Sequence, residues 1–134
     1  MKNVFYCLIA VMCLLVTGCA QTHYAWDGYD QKLYNHYRSP DGGEKFSAEL
    51  KEIIADNEKS GRVPPGIFAE YGYALYEKGQ FPEAIEYFKK EQAKWPESNV
   101  LMTKMISNSQ QRLKQNENNK IEVTSALENS KETL

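Results

Sequence analysis

The sequence predicts an all-α protein of about five helices packed as antiparallel pairs. Three observations predict it. Apolar residues recur at helical spacing in separate segments. Prolines and glycines fall between those segments, at 39–43, 60–66, 79–82 and 96. In the stretch 64–96, small residues stand where two helices would cross and large ones where a core would lie.

The chain has 134 residues, which fits one domain. Hydrophobic residues make up 42% and charged residues 25%, an ordinary globular balance. The net charge of -2 gives neither the basic stripe of a nucleic-acid binder nor a polybasic membrane patch, so no nucleic acid is expected as a partner.

The first 18 residues read as a targeting segment. Lys2 gives a positive start, and Val4 to Val16 is almost wholly apolar. That run is shorter than the roughly 20 residues a membrane-spanning helix needs, and it fits the apolar core of a secretory signal peptide. It ends Val16–Thr17–Gly18–Cys19, which resembles the lipobox of bacterial lipoproteins. The resemblance implies acylation of the Cys19 thiol, cleavage between Gly18 and Cys19, and usually a further acyl chain such as palmitate on the new amine. Two or three chains anchor stably, whereas one is marginal. Ala20, where enteric-type lipoproteins retained in the inner membrane carry Asp, implies the periplasmic face of the outer membrane. Cys7 and Cys13 would leave with the signal, so no disulfide and no thiolate metal site is expected in the mature chain.

Residues 19–25 form the lipidated cysteine and a tether, and 26–113 the helical domain. Tyr29, Leu33, Tyr34 and Tyr37 fall near helical spacing, which predicts a short helix over 30–38. Trp26 and these tyrosines are read first as padding for the exposed side of the helical pair, and otherwise as a partner surface near the anchor. A second helix, 44–60, turns Phe46, Leu50, Ile53 and Ile54 to one side. Asp41 and Glu44 are spaced as a capping box, and Ser60–Gly61 closes the helix. Pro64 and Pro65 suit the start of the next.

Residues 64–96 resemble, without a gap, one tetratricopeptide repeat, a helix–turn–helix unit of about 34 residues. Phe68 stands at its first aromatic position, Tyr71–Gly72 where the family has Leu-Gly, and Leu75 where it has Tyr. Gly79 and Phe81 occupy the turn and its exit, and Ala84, Phe88 and Pro96 the small, aromatic and terminal proline positions. Gly72 and Ala84 let the helices approach, and the large residues fill the space between them. The repeat's concave groove would receive Tyr73 and Glu77, with Tyr76 nearby, and Tyr is a favoured anchor for partners. Glu91 departs from the family's Ala, and a charge there must reach solvent or a cation.

A third strong helix, from Glu97–Ser98 toward Leu113, carries Leu101, Met102, Met105 and Ile106 on its apolar side. Residues 114–134 are Asn-rich and polar and are expected to be disordered. One repeat cannot bury its own faces, so the flanking helices must sandwich it in a right-handed stack. A core this small would gain from homodimerisation or partner binding.

The mature chain as a whole resembles a family of short bacterial lipoproteins, domain of unknown function 4810. The resemblance rests on Tyr24-x-Trp26-x-x-Tyr29, Leu33–Tyr34, Val63–Pro64–Pro65–Gly66, Ala69–Glu70–Tyr71–Gly72–Tyr73, Lys90–Glu91 and Trp95–Pro96–Glu97–Ser98, over about residues 20 to 106. It implies an accessory subunit of an envelope assembly, because members tend to be encoded beside a CsgG-like lipoprotein, and CsgG forms an outer-membrane secretion pore.

No catalytic site, metal or cofactor is expected. His23 and His36 are the only histidines, and no HExxH, Ser-His-Asp order or phosphate loop occurs. Glu70 and Glu91 could be imagined as a hydrolase pair. They are read instead as charges paired with a Lys or Arg such as Arg62, Lys104 or Arg112. The resulting expectation is a non-enzymatic adaptor, with a regulator of a peptidoglycan synthase as the rival reading and a periplasmic hydrolase as the weakest.

Overall fold

The structure, a computed structural model, describes residues 23–39 and 43–132. Gly18, Cys19 and Asp41 lie outside the described residues. Five α-helices and no strand occur among the described residues: α1 Tyr29–Arg38, α2 Gly43–Asn57, α3 Ile67–Glu77, α4 Phe81–Lys94 and α5 Asn99–Glu132, with a 3-10 turn at Pro96–Ser98 before α5. The all-α arrangement of five helices expected from the sequence is what the chain forms.

Each helix packs chiefly against its neighbours in the chain, so the bundle is a sequential stack. The α3–α4 hairpin is its centre. Gly79 turns the chain with φ of 74°, a backbone region that side chains with a Cβ rarely adopt. Two residues after the turn's end, Pro82 is the second residue of α4, from which Ala84 projects inward. A Cβ built on Gly72 would lie 2.8 Å from Phe88 Cε1 and 3.3 Å from the Ala84 carbonyl oxygen. The two helices therefore touch where the sequence has its smallest residues. Leu50, Ile53, Val63, Ile67, Phe88 and Met102 are fully buried around that contact. Tyr71 and Leu75 join the same core, and Phe81 is buried beside it. Pro64 is also buried, but it precedes the helix rather than opening it, because α3 starts only at Ile67.

Alternating helix directions give the bundle two distinct ends. One end gathers residues 23–28, the turn 58–66 and Trp95–Ser98. There the Ala25 N–H donates to the Arg62 carbonyl at 3.0 Å. The Tyr24 and Trp95 rings meet edge to face at 5.3 Å. Lys94 Nζ donates to the carbonyls of Gly61 and Val63, each at 2.8 Å. The other end holds the C-terminus of α1, the start of α2 and the 78–80 turn, where Tyr76 packs on Phe81.

Two expectations are corrected. Residues 114–132, expected to be disordered, continue α5, a single helix of 34 residues. At 1.5 Å per residue it is about 51 Å long. Polar composition argued against a core, and residues 114–125 are indeed exposed. However, no Gly or Pro follows Pro96 to stop the helix, and extending an existing helix avoids the cost of nucleation. The second correction concerns the tyrosines of α1. Tyr34 and Tyr37 are 55% and 77% exposed, so they do not pad the core. Of the expected tyrosines, Tyr29 does pack against the core, with Leu33 beside it.

Candidate functional site

Between α1, the first turn of α2, α3 and α5 the bundle leaves an open groove of about 770 Å³. Phe88 and Met102 form part of its floor, and Leu33, Phe46, Ala69 and Met105 are among its walls. Tyr73 and Glu77 line it from α3, as the repeat spacing predicted. Tyr73 is 49% exposed and stacks on Tyr76 with ring centres 6.2 Å apart. Its hydroxyl bonds to Glu77, and that bond holds the phenol above its ordinary pKa. An exposed ring fixed by its own helix is a ready contact surface, because little rotamer freedom remains to be lost on binding.

The groove also holds a polar cluster that the sequence did not point to. The Tyr29 hydroxyl donates to Glu70 Oε1 from across α1. Burial, then the Glu70 bond, pushes the Tyr29 phenol far above its usual range. Burial likewise raises the Glu70 carboxyl above its ordinary range, against the opposing pull of the Tyr29 bond and of His36. The His36 ring stacks on Phe46 at 4.6 Å, nearly parallel. Glu70 Oε2 and His36 Nδ1 are both buried without a hydrogen-bond partner among the protein's atoms. Both residues line the groove. The site therefore presents an apolar surface, with two unpartnered polar atoms buried in residues that line it. The only signal in the sequence was Glu70 beside Tyr71. His36 and Phe46 sit on helices outside the repeat pattern.

Glu91 does not line the groove. It is 2% exposed, and its Oε1 accepts the Gly66 N–H at 2.8 Å. Gly66 has φ of 89° and no side chain with which to cap α3, so the carboxylate of α4 does that work. Burial raises the Glu91 carboxyl, while the amides of Gly66 and Ala69 and the charge of Lys94 oppose the shift. The expected pairing of Glu70 and Glu91 with Arg62, Lys104 or Arg112 is thus replaced by a phenol for one and backbone amides for the other. The start of a short helix, with N–H groups that need acceptors, lies within hydrogen-bond reach of Glu91.

The remaining surface residues scatter. Trp26 is 42% exposed and packs on Tyr29 at 5.7 Å, near the chain's start. Tyr34 lies under the Arg38 guanidinium, 5.7 Å away, and does not line the groove. The candidate partner residues therefore occupy three places: Trp26 with Tyr29, Tyr34 apart from them, and Tyr73 with Glu77 in the groove. Among the described residues no group of three His, Cys, Asp or Glu could hold a metal ion. No helix there is long and apolar enough to cross a membrane.

Residues 23–105 match the family described as a domain of unknown function (DUF4810). The chain belongs to that family. No curated protein and no solved structure matches it. The DUF4810 match covers α1 to α4 and the first two turns of α5, which are the elements that build the groove. The rest of α5 lies beyond it.

Proposed function

We propose that this DUF4810 protein is a lipid-anchored, non-enzymatic adaptor on the periplasmic face of the outer membrane. Cys19 carries the lipid, and the groove takes a segment of another envelope protein. The favoured partner is a CsgG-like lipoprotein, to which this chain is an accessory subunit. The observation that supports the reading is the groove itself: an open apolar trough with exposed Tyr73 and unpartnered polar atoms of Glu70 and His36. Partner segments with apolar anchors and one or two polar groups suit such a surface.

A photo-cross-linking residue in place of Tyr73, in living cells, tests it. The expected product is a covalent adduct with the CsgG-like lipoprotein, absent when the probe replaces exposed Lys51 on α2. If position 73 captures no envelope protein while the chain remains acylated, the adaptor reading fails.

A second reading, regulation of a peptidoglycan synthase, gains one observation. Cys19 lies only four residues before the described chain, a reach of about 14 Å. The α5 helix adds a stiff element of about 51 Å. Unchanged glycan synthesis on adding the full mature chain to the synthase counts against it.

A further inference from the structure

The end of the bundle at which the chain starts carries an aromatic surface that the groove does not use. Trp26 is exposed, and Tyr24 and Trp95 are half-buried in edge-to-face contact. Pro65 and Pro96 are exposed on the same end, with Lys59 and Arg62 beside them. Two polar ties fix this surface to the bundle. The Ala25 amide bonds to Arg62, and the Asn57 amide donates to the Asp27 carboxylate at 2.5 Å. The aromatic residues therefore present a fixed face, not a mobile tail.

Chain length says what covers that face. His23 begins the described chain, four residues after Cys19. Four residues span at most about 14 Å when fully extended. The headgroup layer on each side of a bilayer is roughly 5–7 Å deep. A domain tethered so closely must keep this end beside the lipid. Trp and Tyr partition to that layer, where an amphipathic ring meets both the acyl boundary and water. Lys59 and Arg62 add attraction to lipid phosphates, although Asp27 and Glu97 limit the net charge.

We infer that the face formed by Tyr24, Trp26 and Trp95 rests in the headgroup layer of the membrane that holds Cys19. The inference rests on the acylation proposed above, but not on the identity of any partner. It fixes an orientation. The groove runs along the side of α3 from Ala69 to Lys78 and does not include Tyr24, Trp26 or Trp95, so it lies off the face that meets the bilayer. Helix α5 starts at the membrane end and runs outward, carrying residues 114–132 into the periplasm. An adaptor so placed presents its groove to the aqueous phase rather than to lipid.

Trp26 and Trp95 are the only two tryptophans in the chain, which makes the test direct. The full acylated protein is reconstituted into vesicles of phosphatidylethanolamine and phosphatidylglycerol with brominated acyl chains. One variant, W95F, leaves Trp26 as the sole emitter. A second, W26F/W95F/Y37W, places a single emitter on exposed Tyr37 at the far end. Acylation of both is verified by mass. Brominated lipid is expected to remove most of the Trp26 emission and leave that of Y37W unchanged. No quenching of Trp26 in acylated protein overturns the orientation alone, as does equal quenching at both positions. Protein that carries no acyl chain at all overturns both the anchor and the orientation.

Discussion

The α3–α4 hairpin and the groove are made by the same helices, yet they are packed to opposite standards. On one side of α3, Gly72 meets Phe88 so closely that an added Cβ would overlap the ring. On the other side, Tyr73 and Glu77 border about 770 Å³ of open space. The difference is one of residue size and neighbour. Where α3 faces α4, glycine and alanine bring backbones together, and aromatic rings fill what remains. Where it faces α1 and α5, Tyr29 bonds to Glu70 across the helices, while Glu70 Oε2 and His36 Nδ1 are left without partners. A tight contact stabilises, and an unfinished one leaves capacity for a ligand.

The largest expected effect lies in the tight half. Phe88→Ala removes a buried ring shared by both halves, since it packs on Gly72 and also floors the groove. A loss of about 3–5 kcal/mol is expected in urea unfolding. A loss under about 1 kcal/mol would mean that the hairpin is not the centre of the core. Next comes Gly72→Ala. Alanine favours a helix over glycine by up to about 1 kcal/mol, but here the methyl must displace Phe88 or the Ala84 carbonyl. Net destabilisation of about 1–3 kcal/mol is expected from overpacking. If Phe88→Leu in the same chain relieves part of that loss, the two residues are coupled through the contact described. A Gly72→Ala protein that melts later than the parent would show that the helices can part at no cost.

These contrasts also mark what could be read in advance. The hairpin was legible because a repeat sets its residues in fixed register: Gly72, Gly79, Ala84 and Phe88 each answer to a position in a helix pair. Tyr73 and Glu77 followed from the same register. The far wall of the groove was not legible, because His36 and Phe46 belong to α1 and α2, which keep no repeat spacing. Glu91 was read as a charge in search of a cation. Its partner is the backbone N–H of Gly66, and no side-chain pattern names a backbone group. The length of α5 was missed for a different reason. Asn-rich composition predicts no core, and residues 114–125 are exposed. A helix needs no core when it merely extends another.

Smaller effects belong to the polar cluster of the groove. Tyr29→Phe takes away the one hydrogen bond that Glu70 receives and leaves both carboxylate oxygens unmet. Glu70 is largely buried and its other oxygen already lacks a partner, so a loss of about 1 kcal/mol at neutral pH is expected. Its pH dependence is the sharper readout. Burial raises the Glu70 carboxyl in the folded chain, so the folded state holds its proton more firmly than the unfolded state. The associated stability is complete below the unfolded carboxyl pKa of about 4.3 and is lost as pH rises through the folded value. Glu91 behaves in the same sense. Glu70→Gln should therefore flatten part of the fall in the urea midpoint between about pH 4.3 and neutrality. Since the Tyr29 bond lowers the Glu70 pKa, Tyr29→Phe should move that fall to higher pH. Identical profiles for parent, Tyr29→Phe and Glu70→Gln would remove Glu70 from any account of the groove's electrostatics.

The smallest expected effect would draw the boundary of the comparison. Residues 114–125 are exposed along α5, and among the described residues none after Met105 lines the groove. If the bundle ends near Leu113, deleting 114–134 removes helix without removing core. The urea midpoint should then change by no more than about 0.5 kcal/mol equivalent, the range of surface substitutions away from packing. Helical content should fall in proportion to the residues lost, because they hydrogen-bond only among themselves and to the turn before them. A larger loss of stability would mean that the extension packs on the bundle, and the open side of α3 would then owe part of its order to a segment outside the matched domain. Unchanged stability with a lost partner cross-link from position 73 would be equally informative. It would assign the extension to the partner's surface, with the groove supplying only half of the contact.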